Sequence, residues 1–125
     1  MKRPFQFTGR IRSFKFALVG LWTMLKSQHN AWIHLCLTVG VVAAGFLLDV
    51  SAAEWCALIL AMMAVWTAEA LNTAFEFLAD AASPDFHPLV KRAKDVAAGA
   101  VLFSAVGSVA IGILVLGPHI LERIK

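Results

Sequence analysis

Trp55-Cys-Ala-Leu-Ile-Leu-Ala-Met-Met-Ala-Val-Trp66-Thr-Ala-Glu69-Ala-Leu-Asn72-Thr73-Ala-Phe-Glu76-Phe-Leu-Ala-Asp80 decides the fold. From Trp55 to about Leu78 the run is long enough, at ~1.5 Å per helical residue, to cross a hydrocarbon core of ~30 Å. Yet its second half carries Glu69, Asn72 and Glu76, with Asp80 just beyond. At 100° per residue, Asn72, Glu76 and Asp80 fall about −60°, −20° and +20° from Glu69, so all four share one helical stripe. That stripe extends roughly 16 Å along the axis, from membrane depth toward a surface. Ionisable groups at such depth are expensive and mark function. Helix packing alone needs one or two polar groups, not three acids in line.

The rest of the chain agrees with a membrane setting. Of its 125 residues 60% are hydrophobic and only 15% charged, with mean hydropathy +0.77. A soluble domain carries about a quarter charged residues, and the net charge of +3 is far too small for disorder. Cys36 and Cys56 lie in apolar runs, which argues against a disulfide scaffold. Between Lys26 and Lys91 there is no lysine or arginine, as lipid burial demands.

The reading is an all-α membrane protein forming one domain over residues 1–125, with spans at about 31–48, 55–78 and 96–117. Asp49–Glu54 is a polar break with Ser51 as N-cap, and Gly117-Pro118 is expected to stop the third helix. Residues 10–27 mix Ile11, Phe14, Leu18, Leu21, Trp22 and Leu25 with Arg12, Lys15 and Lys26 at helical spacing. They predict an amphipathic surface helix. Lys2, Arg3, Arg10, Arg12, Lys15 and Lys26 crowd the N-terminal arm, and Lys91, Arg92 and Lys94 follow the second span. The positive-inside rule puts both segments in the cytoplasm, against the lesser vote of Arg123 and Lys125. Trp22, Trp32 and Trp55 read as interfacial anchors, and Trp66 as packing. His34 and Cys36 read as packing or hydrogen-bonding residues.

Acids in line at a cytoplasmic surface fit divalent-metal or proton chemistry. Mg²⁺ favours carboxylates plus substrate phosphates. The segment after the stripe, with Phe86, His87, Lys91, Arg92, Lys94, Asp85 and Asp95, has the composition of a phosphate clamp; alone it reads as a cytoplasmic anchor. No P-loop, dinucleotide fingerprint, protein-kinase set or zinc spacing is present, and nucleic-acid binding has no support beyond the basic pI. A different class, a proton-coupled transport subunit or regulatory membrane protein, also uses buried carboxylates. A stripe ending at one surface, acid-free first and third spans and the basic segment weigh against it.

Taken together, Glu69-x-x-Asn72-x-x-x-Glu76-x-x-x-Asp80, His87-Pro-Leu and Arg92-Ala-Lys94-Asp95-Val-Ala-Ala-Gly-Ala resemble the signature of the small bacterial membrane lipid kinases, the diacylglycerol and undecaprenol kinases. The likeness runs from about Arg12 to Gly117. It implies a homotrimer in the bacterial inner membrane and MgATP-dependent phosphorylation of a lipid hydroxyl at the cytoplasmic interface. It further implies Glu69 as general base and Glu76 as a metal ligand that also meets ATP. Arg10, Phe16, Asp85, Phe86, His87, Lys94 and Asp95 would be ATP contacts, and Asn72, Asp80 and Ala98 supporting or substrate-binding positions. His87-Pro-Leu and the Lys94–Ala100 run look closer to the undecaprenol branch, with diacylglycerol as the alternative substrate.

One position departs. Where the family pattern has a second metal-binding glutamate, ahead of Asn30 and His34, this chain has Gln28. An amide keeps one carbonyl ligand but loses the charge. Three readings stay open: weaker Mg²⁺ binding, a poorly active form, or compensation by His29 or another acid. Ala100, Ser104, Ser108 and Gly112 form a small-residue face that serves either trimer contacts or packing within one subunit.

Overall fold

A computed structural model describes residues 7–125; Lys2 and Arg3 of the basic arm lie outside the described residues. Four helices follow one another: α1 (Phe7–Ser27), α2 (His29–Leu47), α3 (Ala52–Ala82) and α4 (Pro88–Ile124). The last three are long and apolar enough to cross a membrane. Large apolar side chains such as Leu60, Phe103 and Leu114 face outward, which is the disposition lipid favours and water penalises.

Short-range chemistry sets most helix ends. The α1 and α2 helices are separated by Gln28 alone, whose backbone is extended at φ −112°, ψ 116°. At the other end of α2 the chain turns through Asp49 in the left-handed region, φ 55°. Val50 N–H reaches back to the Gly45 carbonyl at 3.2 Å, and the Val50 side chain is buried beneath the turn. This pairing is a Schellman-type ending, which satisfies an orphan carbonyl and buries the apolar residue after the turn. Ser51 then caps α3 as expected. Its hydroxyl accepts the Glu54 N–H while Glu54 accepts the Ser51 N–H, a complete capping box.

Two expectations need correction. Gly117-Pro118 does not end α4, which runs on to Ile124 with Pro118 inside it. Proline forfeits a backbone hydrogen bond, but His119 Nε2 lies 2.9 Å from Glu54 Oε1 and fastens the following turn to the start of α3. The segment between spans two and three is also shorter than the composition implied. The α4 helix begins at Pro88, with His87 Nδ1 accepting the Leu89 N–H at 3.3 Å. Lys91, Lys94 and Asp95 therefore sit on helix, not loop.

The α4 helix packs along α3 over a long seam, whereas α1 and α2 touch their neighbours sparsely. Ser108 Oγ donates to the Ala61 carbonyl at 2.9 Å, so the small-residue face is used at that point within the chain. At the α2–α3 turn the Trp55 ring lies against Phe46, centroids 4.9 Å apart, and occupies the space above Gly45. A Cβ added at Gly45 would stand 2.6 Å from the indole. Gly45→Val should accordingly destabilise the protein by about 1–3 kcal/mol through overpacking. Unfolding in micelles, run as a double-mutant cycle with Trp55→Leu, should show much of that loss recovered in the double variant.

Candidate active site

The stripe forms as the periodicity predicts, and the helices around α3 decide what each acid meets. Glu69 is 1% exposed, and neither carboxyl oxygen has a hydrogen-bond partner among the described residues. His34 Nε2, from α2, stands 4.0 Å from Glu69 Oε2, beyond hydrogen-bonding range. A cavity of about 240 Å³ opens onto this carboxyl, lined by Asn30, Ile33 and His34 of α2, Glu69 and Asn72 of α3, and Ala98, Val101, Leu102 and Ala105 of α4. A polar group buried without a partner costs free energy. Here both oxygens remain able to accept a hydrogen bond from something entering the cavity. Thr73 is buried alongside and spends its hydroxyl on the Glu69 carbonyl at 2.8 Å, which leaves the Glu69 side chain unsatisfied.

One turn on, Glu76 is held by two amides. Gln28 Nε2 donates to Oε2 at 2.7 Å, and Asn72 Nδ2 donates to Oε1 at 3.3 Å. Each carboxylate oxygen thus receives one N–H and keeps lone-pair capacity. The Asn72 carbonyl oxygen is buried without a hydrogen-bond partner among the described residues. The Glu76 carboxylate and the Asn72 carbonyl oxygen are hard oxygen donors of the kind a divalent cation takes when phosphates complete its shell. Among the described residues no three of His, Cys, Asp and Glu converge to form a metal cage. His29 is exposed, so the idea that it makes good the charge missing at Gln28 gains no support.

At the end of the stripe Lys94 Nζ contacts Asp80 Oδ1 at 2.7 Å, joining α4 to α3. Lys91 pairs with Asp95 one turn apart, also at 2.7 Å. These residues and Ser83, Pro84, Asp85, Phe86, His87 and Val90 line an open cavity of about 470 Å³. Ser83 Oγ donates to the Asp85 carbonyl at 3.0 Å and shapes its rim. Asp85, Phe86, His87, Lys94 and Asp95 are therefore brought together. Arg10 and Phe16 line neither cavity, and both are exposed on α1.

His34, read from the sequence as a packing or hydrogen-bonding residue, stands beside Glu69. Its four-residue spacing from Asn30 was the available signal, since both side chains line the Glu69 cavity. Trp66 does pack, though its indole also donates to Thr38 Oγ1 at 3.0 Å and ties α3 to α2.

The comparisons with known proteins agree on one family. Residues 15–116 match the prokaryotic diacylglycerol kinase family. The chain is 38% identical over 109 residues to an undecaprenol kinase of Bacillus subtilis, covering 87% of this chain and 89% of that protein. It is also 38% identical over 111 residues to a diacylglycerol kinase of Synechocystis, covering 88% of this chain and 63% of that protein. These matches set aside the transport reading. A buried acid at the head of a polar stripe thus sits in a chain that belongs to the prokaryotic diacylglycerol kinase family, ATP-dependent kinases of membrane lipids.

Proposed function

We propose that this kinase phosphorylates a polyprenol of the undecaprenol type. The observation that carries the mechanism is the Glu69 carboxyl, buried without a hydrogen-bond partner among the described residues in a cavity walled by three apolar helices. A lipid alcohol reaching that cavity finds an acceptor for its hydroxyl proton and an apolar surround for its chain. ATP occupies the open cavity at the end of α3, with Lys94 on its phosphates and Phe86, His87, Asp85 and Asp95 around its base and ribose. Glu69 accepts the hydroxyl proton, the lipid oxygen bonds to the terminal phosphorus, and the bond from that phosphorus to the bridging oxygen breaks to release ADP. Such a transfer needs chiefly positioning and charge neutralisation, which explains how it proceeds without a P-loop. Mg²⁺ bound with the nucleotide would supply that neutralisation, and Glu76 is the carboxylate that would hold it. Asn72 and Asp80 keep Glu76 and Lys94 in place, and Ala98 keeps the lipid cavity open.

The polyprenol reading draws support from the Bacillus subtilis relative, whose length this chain covers nearly in full. The Synechocystis relative makes diacylglycerol the competing substrate. The N-terminal arm and the α3–α4 connection face the cytoplasm in this account, at a bacterial inner membrane. A homotrimer would shield the outward face of α3 from lipid.

Purified protein in vesicles with MgATP and labelled terminal phosphate tests the proposal. Undecaprenol should be phosphorylated at least tenfold faster than diacylglycerol, and the reverse ratio overturns the polyprenol reading. Glu69→Gln should lower kcat by about 10²–10⁴-fold without loss of fold. Lys94→Met should raise the KM for MgATP about tenfold or more and leave the thermal midpoint unchanged, because its partner Asp80 is 68% exposed. An unaltered KM would remove Lys94 from the nucleotide site.

A further inference from the structure

Gln28 stands at the joint between α1 and α2, in the N-cap position of α2, yet makes no side-chain cap hydrogen bond. Its amide is turned instead to Glu76, 48 residues on, at 2.7 Å. An ionised carboxylate only accepts, so it is the NH₂ end of the amide that meets Glu76, and not the carbonyl end, the only part able to bind a cation. With Asn72 on the other oxygen, Glu76 is fully oriented by protein donors. The surface helix touches α3 over a small area, with Met24 as its one buried apolar side chain among the described residues. The short amide–carboxylate bond at the α1–α2 joint ties that joint directly to α3.

We infer that Gln28 is a positioning residue and not a metal ligand: it fastens the surface helix to Glu76 without a divalent ion, and the ion arrives at Glu76 as part of the metal–nucleotide complex. This deepens the kinase reading and rests on it. A single carboxylate is a weak resident site for Mg²⁺, which usually completes its shell from substrate phosphates and water. Two facing carboxylates at these positions would behave in the opposite way. They would repel one another until a cation bridged them, making helix docking itself metal-dependent.

The test compares the wild type with Gln28→Glu and Gln28→Leu in micelles, with no lipid substrate present. Mn²⁺ binding is read by electron paramagnetic resonance with and without ADP, and thermal unfolding is followed in EDTA and in Mn²⁺. Wild type should bind Mn²⁺ at least tenfold more tightly with ADP than without, and its melting should ignore EDTA. Gln28→Glu should gain at least tenfold in nucleotide-free Mn²⁺ affinity, melt earlier in EDTA and recover in Mn²⁺. Should that variant fail to fold, Gln28→Leu decides: cleavage by trypsin at Lys15 and Lys26 should quicken equally with and without Mn²⁺. Nucleotide-free Mn²⁺ binding by the wild type as tight as with ADP overturns the inference, as does unchanged trypsin cleavage of Gln28→Leu. Failure of the kinase reading shows separately, as absence of phosphate on any lipid in the vesicle assay.

Discussion

A carboxyl group buried between apolar helices and left without a hydrogen-bond partner is the constraint on which this structure turns. Removing such a group from water costs several kcal/mol, and Glu69 recovers none of it through hydrogen bonds to the described residues. The helices around it are arranged to keep that state. Ala98 and Ala105 of α4 are too small to fill the cavity, and Asn30 and His34 of α2 line it without reaching the acid. Thr73, buried one turn along the same helix, commits its hydroxyl to backbone. An acceptor held open in this way is suited to a hydroxyl that enters from the lipid phase.

The reaction also has to join two phases, since a lipid alcohol stays in hydrocarbon and a nucleotide stays in water. The α3 helix spans that gap. Its deep end is apolar and its stripe becomes progressively more exposed, from buried Glu69 through half-buried Glu76 to exposed Asp80. Each step has its own support from another element: cavity walls for Glu69, the α1–α2 joint for Glu76, and Lys94 of α4 for Asp80. One helix carries Glu69, Glu76 and Asp80, and side chains of the other elements meet each of them in turn.

What could be read from the amino-acid order was what depends on neighbours within a few residues. The spans followed from the gap in lysine and arginine, the stripe from helical periodicity, and the α3 start from Ser51 and Glu54 three residues apart. Partners distant in sequence could not be read that way. Nothing local reveals that Gln28 meets Glu76 or that Trp55 needs the bare backbone of Gly45, and the spacing of His34 from Asn30 marks a shared helix face without naming Glu69 as what it borders. Pro118 shows the limit of a local rule. The dipeptide Gly117-Pro118 signals a stop, but α4 runs through it to Ile124, and the turn beyond meets Glu54, 65 residues away in sequence, through His119. Likewise His87 was read for its chemistry, whereas its ring also caps α4.

The central claim, that Glu69 waits as an acceptor for the lipid hydroxyl, can be observed without turnover. Solid-state NMR of protein carrying carboxyl-labelled glutamate, assigned through Glu69→Gln, would follow that carbon as lipid is added in the absence of ATP. The account predicts that a polyprenol shifts the Glu69 resonance and that its methyl ether, which has no hydroxyl to donate, does not. A resonance unmoved by the alcohol, or moved equally by both compounds, would contradict it.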